Sequence, residues 1–269
     1  MDATPRSRTA ERKRQASMID SFGVTDVGLV RKLNQDRILI DESVGLFVVA
    51  DGMGGHSHGE VAAQAALTAI QFYIDSSRDR FDVSWPFGYI FDLSVDANRI
   101  ATGIQLANRH VRREAEKQPD NAGMGTTVAA VLVSDSHAVV ANVGDSRVYL
   151  YRDGKLEQVS VDDTWVVSMT EQGLLAPHEA KDHPMRNVLT QAAGAKEQVE
   201  VHIHERPLEH SDMYLLTSDG LHGVIGDDGI QAILGAGLSL QGTAERLVEA
   251  SKEKGAPDNI SVVLLSYNS

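Results

Sequence analysis

The apolar segments of this chain are short and are separated by turn sequences, which is the pattern of antiparallel strands. The clearest pair, residues 148–151 and 156–159, flanks a turn that contains Asp153-Gly154, and Asp-Gly is a strong hairpin signal. One predicted strand begins at Arg37. The others cover residues 45–50, 127–133, 137–143, 148–151, 156–159, 213–217 and 260–267. Together they predict a fold built mainly of antiparallel sheet.

Three amphipathic segments interrupt the predicted strands. The first begins at Ser57 with Glu60 three residues later, a capping box that satisfies free N–H groups at a helix start. The second carries apolar residues at helical spacing from Ile100 to Val111, and a shorter third one is centred near Leu247. Each has only one apolar face, so each is expected to cover a sheet. We therefore expect an α+β fold, a layered α-β-β-α sandwich in which helices flank two packed antiparallel sheets.

The chain of 269 residues is long enough to bury one large core. No linker composition and no repeat divides it, so residues 18–269 are expected to form a single domain. Residues 160–195 are poor in strand signals and are interpreted as a flap outside the sheets. Residues 1–17 carry five basic and two acidic side chains, and we expect them to form a flexible basic tail.

Charge and composition exclude several classes of function. The formal net charge of -13 disfavours general binding to nucleic acids, because an acidic surface repels phosphate backbones. The absence of cysteine excludes thiolate nucleophiles and cysteine-bound zinc. The longest clearly apolar run, residues 44–50, is far shorter than the ~20 residues of a membrane helix. We therefore expect a cytoplasmic protein without membrane contact, and we expect a monomer.

Four aspartates stand at the ends of predicted strands. Asp51 and Asp219 each follow an apolar run and precede a glycine, whereas Asp36 and Asp258 each precede a strand. Any one Asp-Gly pair is also the pattern of a tight turn. If the two sheets pack face to face, these strand ends converge, and carboxylates that lie together repel one another unless a cation lies between them. Oxygen ligands alone favour Mg²⁺ or Mn²⁺ over zinc.

Several motifs of this chain resemble one known family. The matching segments are TDVGLVRKLNQDR (25–37), FVVADGMGGHSHGE (47–60), GMGTTVAAVLV (123–133), ANVGDSRVYLYRDGKL (141–156), LLTSDGL (215–221) and APDNISVVLL (256–265). In this order they resemble the metal-dependent protein serine/threonine phosphatases of the PPM or type 2C family, in their bacterial form. DGMGGH followed by GDSR, SDG and DN is much more specific than any one of these motifs.

The resemblance implies hydrolysis of phosphoserine and phosphothreonine by direct attack of a water or hydroxide that bridges two ions, Mn²⁺ or Mg²⁺. It implies that Asp51 bridges the ions, that the Gly52 carbonyl adds a ligand, and that Arg31 binds the substrate phosphate. The other positions that match metal ligands are Asp36, Asp219 and Asp258. The implied partners are phosphorylated proteins and a serine/threonine kinase of the same signalling pathway.

The chain departs from the family pattern at two positions. Gln35 stands where the family usually has glutamate, and Met53 stands where animal members have a histidine proposed as proton donor. His56 or a metal-bound water is the remaining candidate for protonating the leaving oxygen. Bacterial members often bind a third ion through an acidic residue before GMGTT, and Asp120, with Asp219 shared, is the candidate here. The GDSR turn at 144–147 is expected to support strands beneath the site rather than to contact substrate.

Two other functions remain open. The His-x-His pairs at 56–58 and 202–204 have the spacing of zinc hydrolase ligands, although Gly59-Glu60 stands where such a site needs Asp-His. The pair at 202–204 is interpreted as the solvent face of a strand. A catalytically silent fold that only binds phosphoproteins is the second alternative, and the presence of Arg31 and of all four aspartates argues against it. The standard nucleotide-binding and kinase motifs are absent from the sequence.

Overall fold

The computed structural model describes residues 19–54, 58–80, 82–117, 121–134 and 136–268. Within these ranges the strands are β1 (Ile19–Asp26), β2 (Arg37–Asp41), β3 (Leu46–Ala50), β4 (Gly52–Met53), β5 (Gly125–Thr126), β6 (Val128–Ser134), β7 (His137–Val143), β8 (Arg147–Arg152), β9 (Lys155–Gln158), β10 (His202–Pro207), β11 (Asp212–Thr217) and β12 (Ile260–Tyr267). The helices are α1 (His58–Ser77), α2 (Val95–Lys117), α3 (Trp165–Glu171), α4 (Pro177–Ala180), α5 (Asp219–Leu234) and α6 (Leu240–Glu253).

The strands form two five-stranded antiparallel sheets. Sheet I has the order β1-β12-β11-β8-β9, and sheet II has the order β10-β7-β6-β3-β2. A small third sheet pairs β4 with β5, where Gly52 lies opposite Thr126. The β8–β9 hairpin turns at Asp153 and Gly154, whose φ angles of 52° and 77° are those that a two-residue turn of this hand requires. This confirms the hairpin predicted from the Asp-Gly pair.

The two sheets pack face to face around an apolar core. Phe47 and Val131 of sheet II and Leu216 and Val263 of sheet I are fully buried in this layer. Strand β3 buries both of its faces, because the alternate residues Leu46 and Val48 belong to the layer beneath helices α1 and α2. This two-sided burial explains why the β3 segment is a continuous apolar run rather than an alternating one.

Helices cover the outer faces of both sheets. Helices α1 and α2 pack on sheet II, and the apolar stripe of α2 from Ile100 to Val111 is fully buried there. Helices α5 and α6 pack on sheet I through residues that include Leu221 and Leu247. The fold is therefore an α-β-β-α sandwich, as the sequence predicts. None of the helices in the described ranges is both long enough and apolar enough to cross a membrane.

The segment between β9 and β10 leaves the sheets and carries the short helices α3 and α4. Thr164 caps α3 by accepting a hydrogen bond from the backbone N–H of Val167. Asp163 fixes both ends of this excursion: its N–H donates to Gly144 O at 3.0 Å, and its carbonyl accepts from Thr190 N at 2.8 Å. The predicted basic tail at residues 1–17 and the predicted helix start at Ser57 lie outside the described residues.

Candidate metal centre

The four aspartates predicted to form a site lie at one end of the sandwich, and they come from both sheets. Asp36 and Asp51 flank strands β2 and β3 of sheet II, whereas Asp219 and Asp258 adjoin strands β11 and β12 of sheet I. Fully buried Asp36 links the two sheets directly, because its Oδ2 accepts hydrogen bonds of 2.7 Å from Ser218 Oγ and from Ser261 Oγ. The face-to-face packing thus brings together carboxylates that are far apart in the sequence.

Burial and mutual repulsion raise the pKa values of Asp36, Asp51 and Asp219. Burial, together with the charges of the neighbouring carboxylates, raises the pKa of Asp51 well above its ordinary value. Burial, with repulsion from Asp258 and Asp36, raises the pKa of Asp219 to about 6. The pKa of Asp36 is also raised by burial, although the two serine hydroxyls partly oppose this shift. A site that disfavours its own negative charges in this way is one in which a bound cation is stabilising.

Two oxygen atoms of this group have no hydrogen-bond partner. Asp36 Oδ1 and Asp219 Oδ1 are buried and unpaired in the described structure, although buried carboxylate oxygens are normally bonded. Together with Asp51 and Asp258 they form an all-oxygen donor set, which suits hard divalent cations. As the side chains stand, no three His, Asp or Glu residues of the described ranges are arranged to hold a metal ion. Metal binding therefore requires these side chains to move.

The glycines after Asp51 and Asp219 are explained by close backbone packing. A Cβ atom on Gly52 would lie 1.9 Å from the carbonyl oxygen of Gly59 at the start of α1. A Cβ atom on Gly220 would lie 1.9 Å from the carbonyl oxygen of Asn259. Neither glycine has a positive φ angle, so neither Asp-Gly pair forms a turn like the one at Asp153-Gly154. The glycines hold the Asp51 and Asp219 segments against their neighbours.

Arg31 lies at the mouth of this group with a side chain that is 55% exposed. Its Nη2 donates a 2.6 Å hydrogen bond to Asp258 Oδ2. This bond, with the charge of Asp258, raises the pKa of the Arg31 guanidinium, and the charges of Asp51 and Asp219 add to the effect. A guanidinium placed here can bind an anionic group of a ligand that enters from solvent.

Asn259 is a positioning residue that the sequence analysis missed. Its Oδ1 accepts a hydrogen bond of 2.8 Å from Gln35 N, and its Nδ2 donates 2.9 Å bonds to the carbonyl oxygens of Val27 and Leu33. The side chain is buried and thereby fixes the segment that carries Arg31 and Asp36. The signal for it was its place beside Asp258 in the PDN motif.

A cleft of about 1170 Å³ opens beside the aspartates and extends under the α3–α4 segment. Its lining includes Arg31, Asp219 and Asp258 at one end, and Val166, Lys181 and Arg186 of the 160–195 segment. A cleft of this size has room for a ligand that reaches Asp219 and Asp258. The region interpreted as a flap therefore forms one wall of the site.

The GDSR turn serves both the scaffold and the cleft. Ser146 Oγ lies 2.6 Å from Thr127 Oγ1, and Arg147 binds Asp162 with two nitrogens, both of which are scaffold contacts. Asp145, however, lines the cleft beside Asp219. Burial and repulsion from Asp219 raise the pKa of Asp145 to about 7. Arg147 also lines the cleft. The expectation that the turn does not contact substrate stays a prediction.

The histidine sites predicted as alternatives gain no support. His202 Nε2 is bonded to Asp163 Oδ1 at 2.8 Å, and both His202 and His204 are half-buried, so the interpretation as a simple solvent face is wrong. Neither residue lines the cleft. His56 and Asp120, the candidate proton donor and the candidate ligand of a third ion, lie outside the described residues.

Comparisons with known proteins identify the family. The model of the protein phosphatase 2C family matches residues 30–249. The serine/threonine protein phosphatase PstP of Mycobacterium tuberculosis is 35% identical over 240 residues, which are 89% of this chain and 43% of PstP. The chain thus spans less than half the length of that relative. The protein phosphatase PhpP of Streptococcus pneumoniae is 31% identical over 248 residues, which are 91% of this chain and 96% of PhpP.

Solved structures agree with the sequence comparisons. The catalytic domain of PstP in complex with two manganese ions superposes with a TM-score of 0.78 at 31% identity, covering 94% of this chain and 99% of that one. The chain therefore belongs to the protein phosphatase 2C family.

Proposed function

We propose that this chain is a metal-dependent protein phosphatase that hydrolyses phosphoserine and phosphothreonine by direct attack of water on phosphorus. The observation that carries the proposal is the convergence of Asp36, Asp51, Asp219 and Asp258 from both sheets beneath the exposed guanidinium of Arg31. The PP2C family membership and the phosphatase names of its relatives support the same activity.

We propose that two divalent cations, Mn²⁺ or Mg²⁺, are held by this site. The residues that would hold them are Asp36, Asp51, Gly52 through its carbonyl, Asp219 and Asp258. When bound, such cations lower the pKa of water and neutralise negative charge on phosphoryl oxygens. The unpaired oxygens of Asp36 and Asp219 and the relief of repulsion within the group support this assignment. The structure of PstP with two manganese ions supports it by similarity.

Each remaining side chain has a role that its contacts support. Arg31 binds and orients the phosphoryl group, since its planar guanidinium can donate two hydrogen bonds to the oxygens of one phosphate. Ser218 and Ser261 hold Asp36 in a fixed position through their hydroxyls. Asp219 and Gly220 begin helix α5, so the Asp219 carboxylate is anchored to a helix that packs on sheet I.

Further parts of the assignment are also proposals. We infer that His56 is a candidate proton donor to the leaving oxygen and that Asp120, with Asp219, is a candidate site for a third ion. We infer that residues 18–269 form one catalytic domain with a flap at 160–195, and that residues 1–17 form a basic tail. We infer that the enzyme acts in the cytoplasm as a monomer on substrates of a serine/threonine kinase.

The proposal is tested by hydrolysis of a phosphothreonine peptide with Mn²⁺, Mg²⁺, Zn²⁺ or EDTA. We expect turnover with Mn²⁺ or Mg²⁺, none with EDTA, and loss of turnover in Asp51→Asn. The matched control is Asp153→Asn, because Asp153 lies in a hairpin turn and should leave turnover unchanged. Turnover that survives EDTA, or that returns only with Zn²⁺, would contradict the assignment. A folded wild-type protein that binds Mn²⁺ and phosphopeptide without any turnover would favour the catalytically silent alternative.

A further inference from the structure

The loop of residues 27–33, called the rim loop below, presents apolar side chains to solvent beside Arg31. The exposed fractions are 37% for Val27, 62% for Leu29, 67% for Val30 and 50% for Leu33. No other stretch of seven residues in the described ranges exposes as many large apolar side chains. An exposed cluster of this kind marks a surface that binds something.

The backbone of the rim loop is firmly held, so the exposure of its side chains is built into the fold. The N–H of Leu29 donates to Ala256 O at 3.0 Å, and Asn259 Nδ2 donates to the carbonyl oxygens at both ends of the loop. Gly28 has a φ angle of +77°, and a Cβ atom there would lie 2.2 Å from Asp258 O. The rim loop is therefore packed against the segment that carries Asp258 while its apolar side chains face away.

The position of Arg31 within the rim loop indicates which molecule covers it. Val30 immediately precedes Arg31, whose guanidinium contacts Asp258 at the metal-binding end of the cleft. Under the proposed function, a phosphoryl group bound at Arg31 belongs to a polypeptide, and the residues that flank the phosphorylated one lie beside the rim loop. An extended chain advances ~3.3–3.6 Å per residue, so residues within about three positions of the phosphorylated one come within reach.

We propose that the rim loop is a substrate subsite that selects phosphoproteins with a large apolar side chain within about three residues of the phosphorylated serine or threonine. The inference rests on the proposed phosphatase function and adds a preference to it. Apolar side chains of the substrate would be buried against Leu29 and Val30, which favours binding. Because the backbone of the rim loop is already fixed, binding costs little conformational entropy of the enzyme.

The test compares two phosphothreonine peptides that differ only in their flanking residues, leucine and valine in one and glycine in the other. We expect the wild-type enzyme with Mn²⁺ to favour the apolar peptide in kcat/KM by about tenfold, through KM, as burial of one such side chain provides. The double variant Leu29→Ser/Val30→Ser should reduce this ratio towards one. The control is Leu238→Ser, because Leu238 is 48% exposed in the loop after α5, away from Arg31, and its variant should keep the wild-type ratio.

The outcomes separate this inference from the proposed function. If the wild-type enzyme hydrolyses p-nitrophenyl phosphate with Mn²⁺ but does not distinguish the two peptides, the subsite is refuted and the phosphatase function stands. If it hydrolyses neither p-nitrophenyl phosphate nor peptide, the proposed function itself fails. A double variant that keeps the wild-type ratio of kcat/KM for the two peptides also refutes the subsite. If, in addition, the wild-type protein is a dimer and the double variant is a monomer, the rim loop is a contact between two copies of the chain. The peptide comparison uses wild-type protein alone, so an equal kcat/KM for the two peptides refutes the subsite even if the double variant does not fold.

Discussion

The hydroxyl of Ser218 donates a hydrogen bond of 2.7 Å to Asp36 Oδ2 and thereby joins two segments that are 182 residues apart in the sequence. Ser218 occupies the N-cap position of α5, but its side chain makes no capping hydrogen bond there. It instead orients a carboxylate of the candidate metal centre and accepts a 3.0 Å bond from Ser261 N. The Ser218 hydroxyl therefore bonds across the two sheets instead of capping its own helix, and such departures from local preference are common at functional sites.

Replacing Ser218 by alanine should therefore weaken both the fold and metal binding. Ser218→Ala leaves a buried Asp36 oxygen with one hydrogen bond fewer, which costs about 1–3 kcal/mol of unfolding free energy. We expect Mn²⁺ affinity to fall as well, measured by isothermal titration calorimetry alongside urea unfolding. The control is Ser43→Ala, because Ser43 makes an exposed hydrogen bond to Asp41 and its loss should change neither quantity. Equal Mn²⁺ affinity in both variants would contradict a positioning role for Ser218.

The metal-free protein should become less stable as the pH rises from about 4 to above 6. The pKa of Asp219 is raised to about 6 in the fold, so the folded state binds the proton more tightly than the unfolded state does. The resulting stabilisation is fully present below the ordinary carboxyl pKa and is lost as the pH rises through 6. Thermal unfolding in EDTA across this range measures the effect, and Asp36 and Asp51 should add to it.

The matched variant for that experiment is Asp219→Asn. Without metal at pH 8 it should be more stable than wild type by about 2–3 kcal/mol, because it removes a carboxylate that is disfavoured in its charged form. With Mn²⁺ the order should reverse, since wild type gains stability from the bound ions and the variant does not. A wild-type metal-free protein whose melting temperature rises between pH 4 and pH 7 would refute the repulsion between these carboxylates.

Arg31→Ala should lower kcat/KM for a phosphopeptide by about a hundredfold, because a charged hydrogen-bond donor to the reacting phosphoryl group is lost. Arg31→Lys should recover only part of this loss, since an ammonium group cannot donate in the planar two-pronged geometry of a guanidinium. Mn²⁺ affinity should change far less than kcat/KM. Arg80→Ala serves as the control, because the Arg80 side chain pairs with exposed Asp82 among the residues that the structure describes. A loss of Mn²⁺ binding as large as the loss of kcat/KM would assign Arg31 to the metal centre instead.

Two glycines of helix α5 should respond to alanine in opposite directions. Gly220→Ala places a Cβ atom 1.9 Å from Asn259 O and should destabilise the protein and displace Asp219. Gly223→Ala meets no atom within 4 Å and should stabilise the helix by about 0.5–1 kcal/mol. Urea unfolding measures both effects, and Mn²⁺ titration shows whether Asp219 has moved. Destabilisation by both substitutions would contradict this explanation, because Gly223→Ala should gain helix propensity without meeting a close contact.

The sequence predicts best the elements whose pattern is unambiguous. The bounds predicted for β7 and β12 are those of the structure, and the α2 stripe is buried as expected. Helix α5 was missed because Gly220, Gly223, Gly226 and Gly229 lower its helix propensity, whereas its stability comes from Leu221 and other buried side chains that contact sheet I. Strand β1 was missed because it lies at the edge of sheet I and is only partly buried.

The candidate site was predictable where a motif marks it. The strand-end aspartates and Arg31 were found from their sequence context, and the structure brings them together. Asn259 and Asp145 were missed because their contacts depend on pairings between distant segments, which no local pattern contains. Their roles become visible only when the sheets are packed against each other.

The position of β12 has a consequence for the order in which this chain can assemble during its synthesis. β12 is the last strand in chain order, yet it lies between β1 and β11 inside sheet I, and Asp258 and Asn259 immediately precede it. A nascent chain that ends before β12 has emerged from the ribosome lacks both the partner of its first strand and the residues that fix the Arg31 segment. The candidate metal centre should therefore assemble only after β12 has been synthesised, and a product truncated before Asp258 should not bind Mn²⁺.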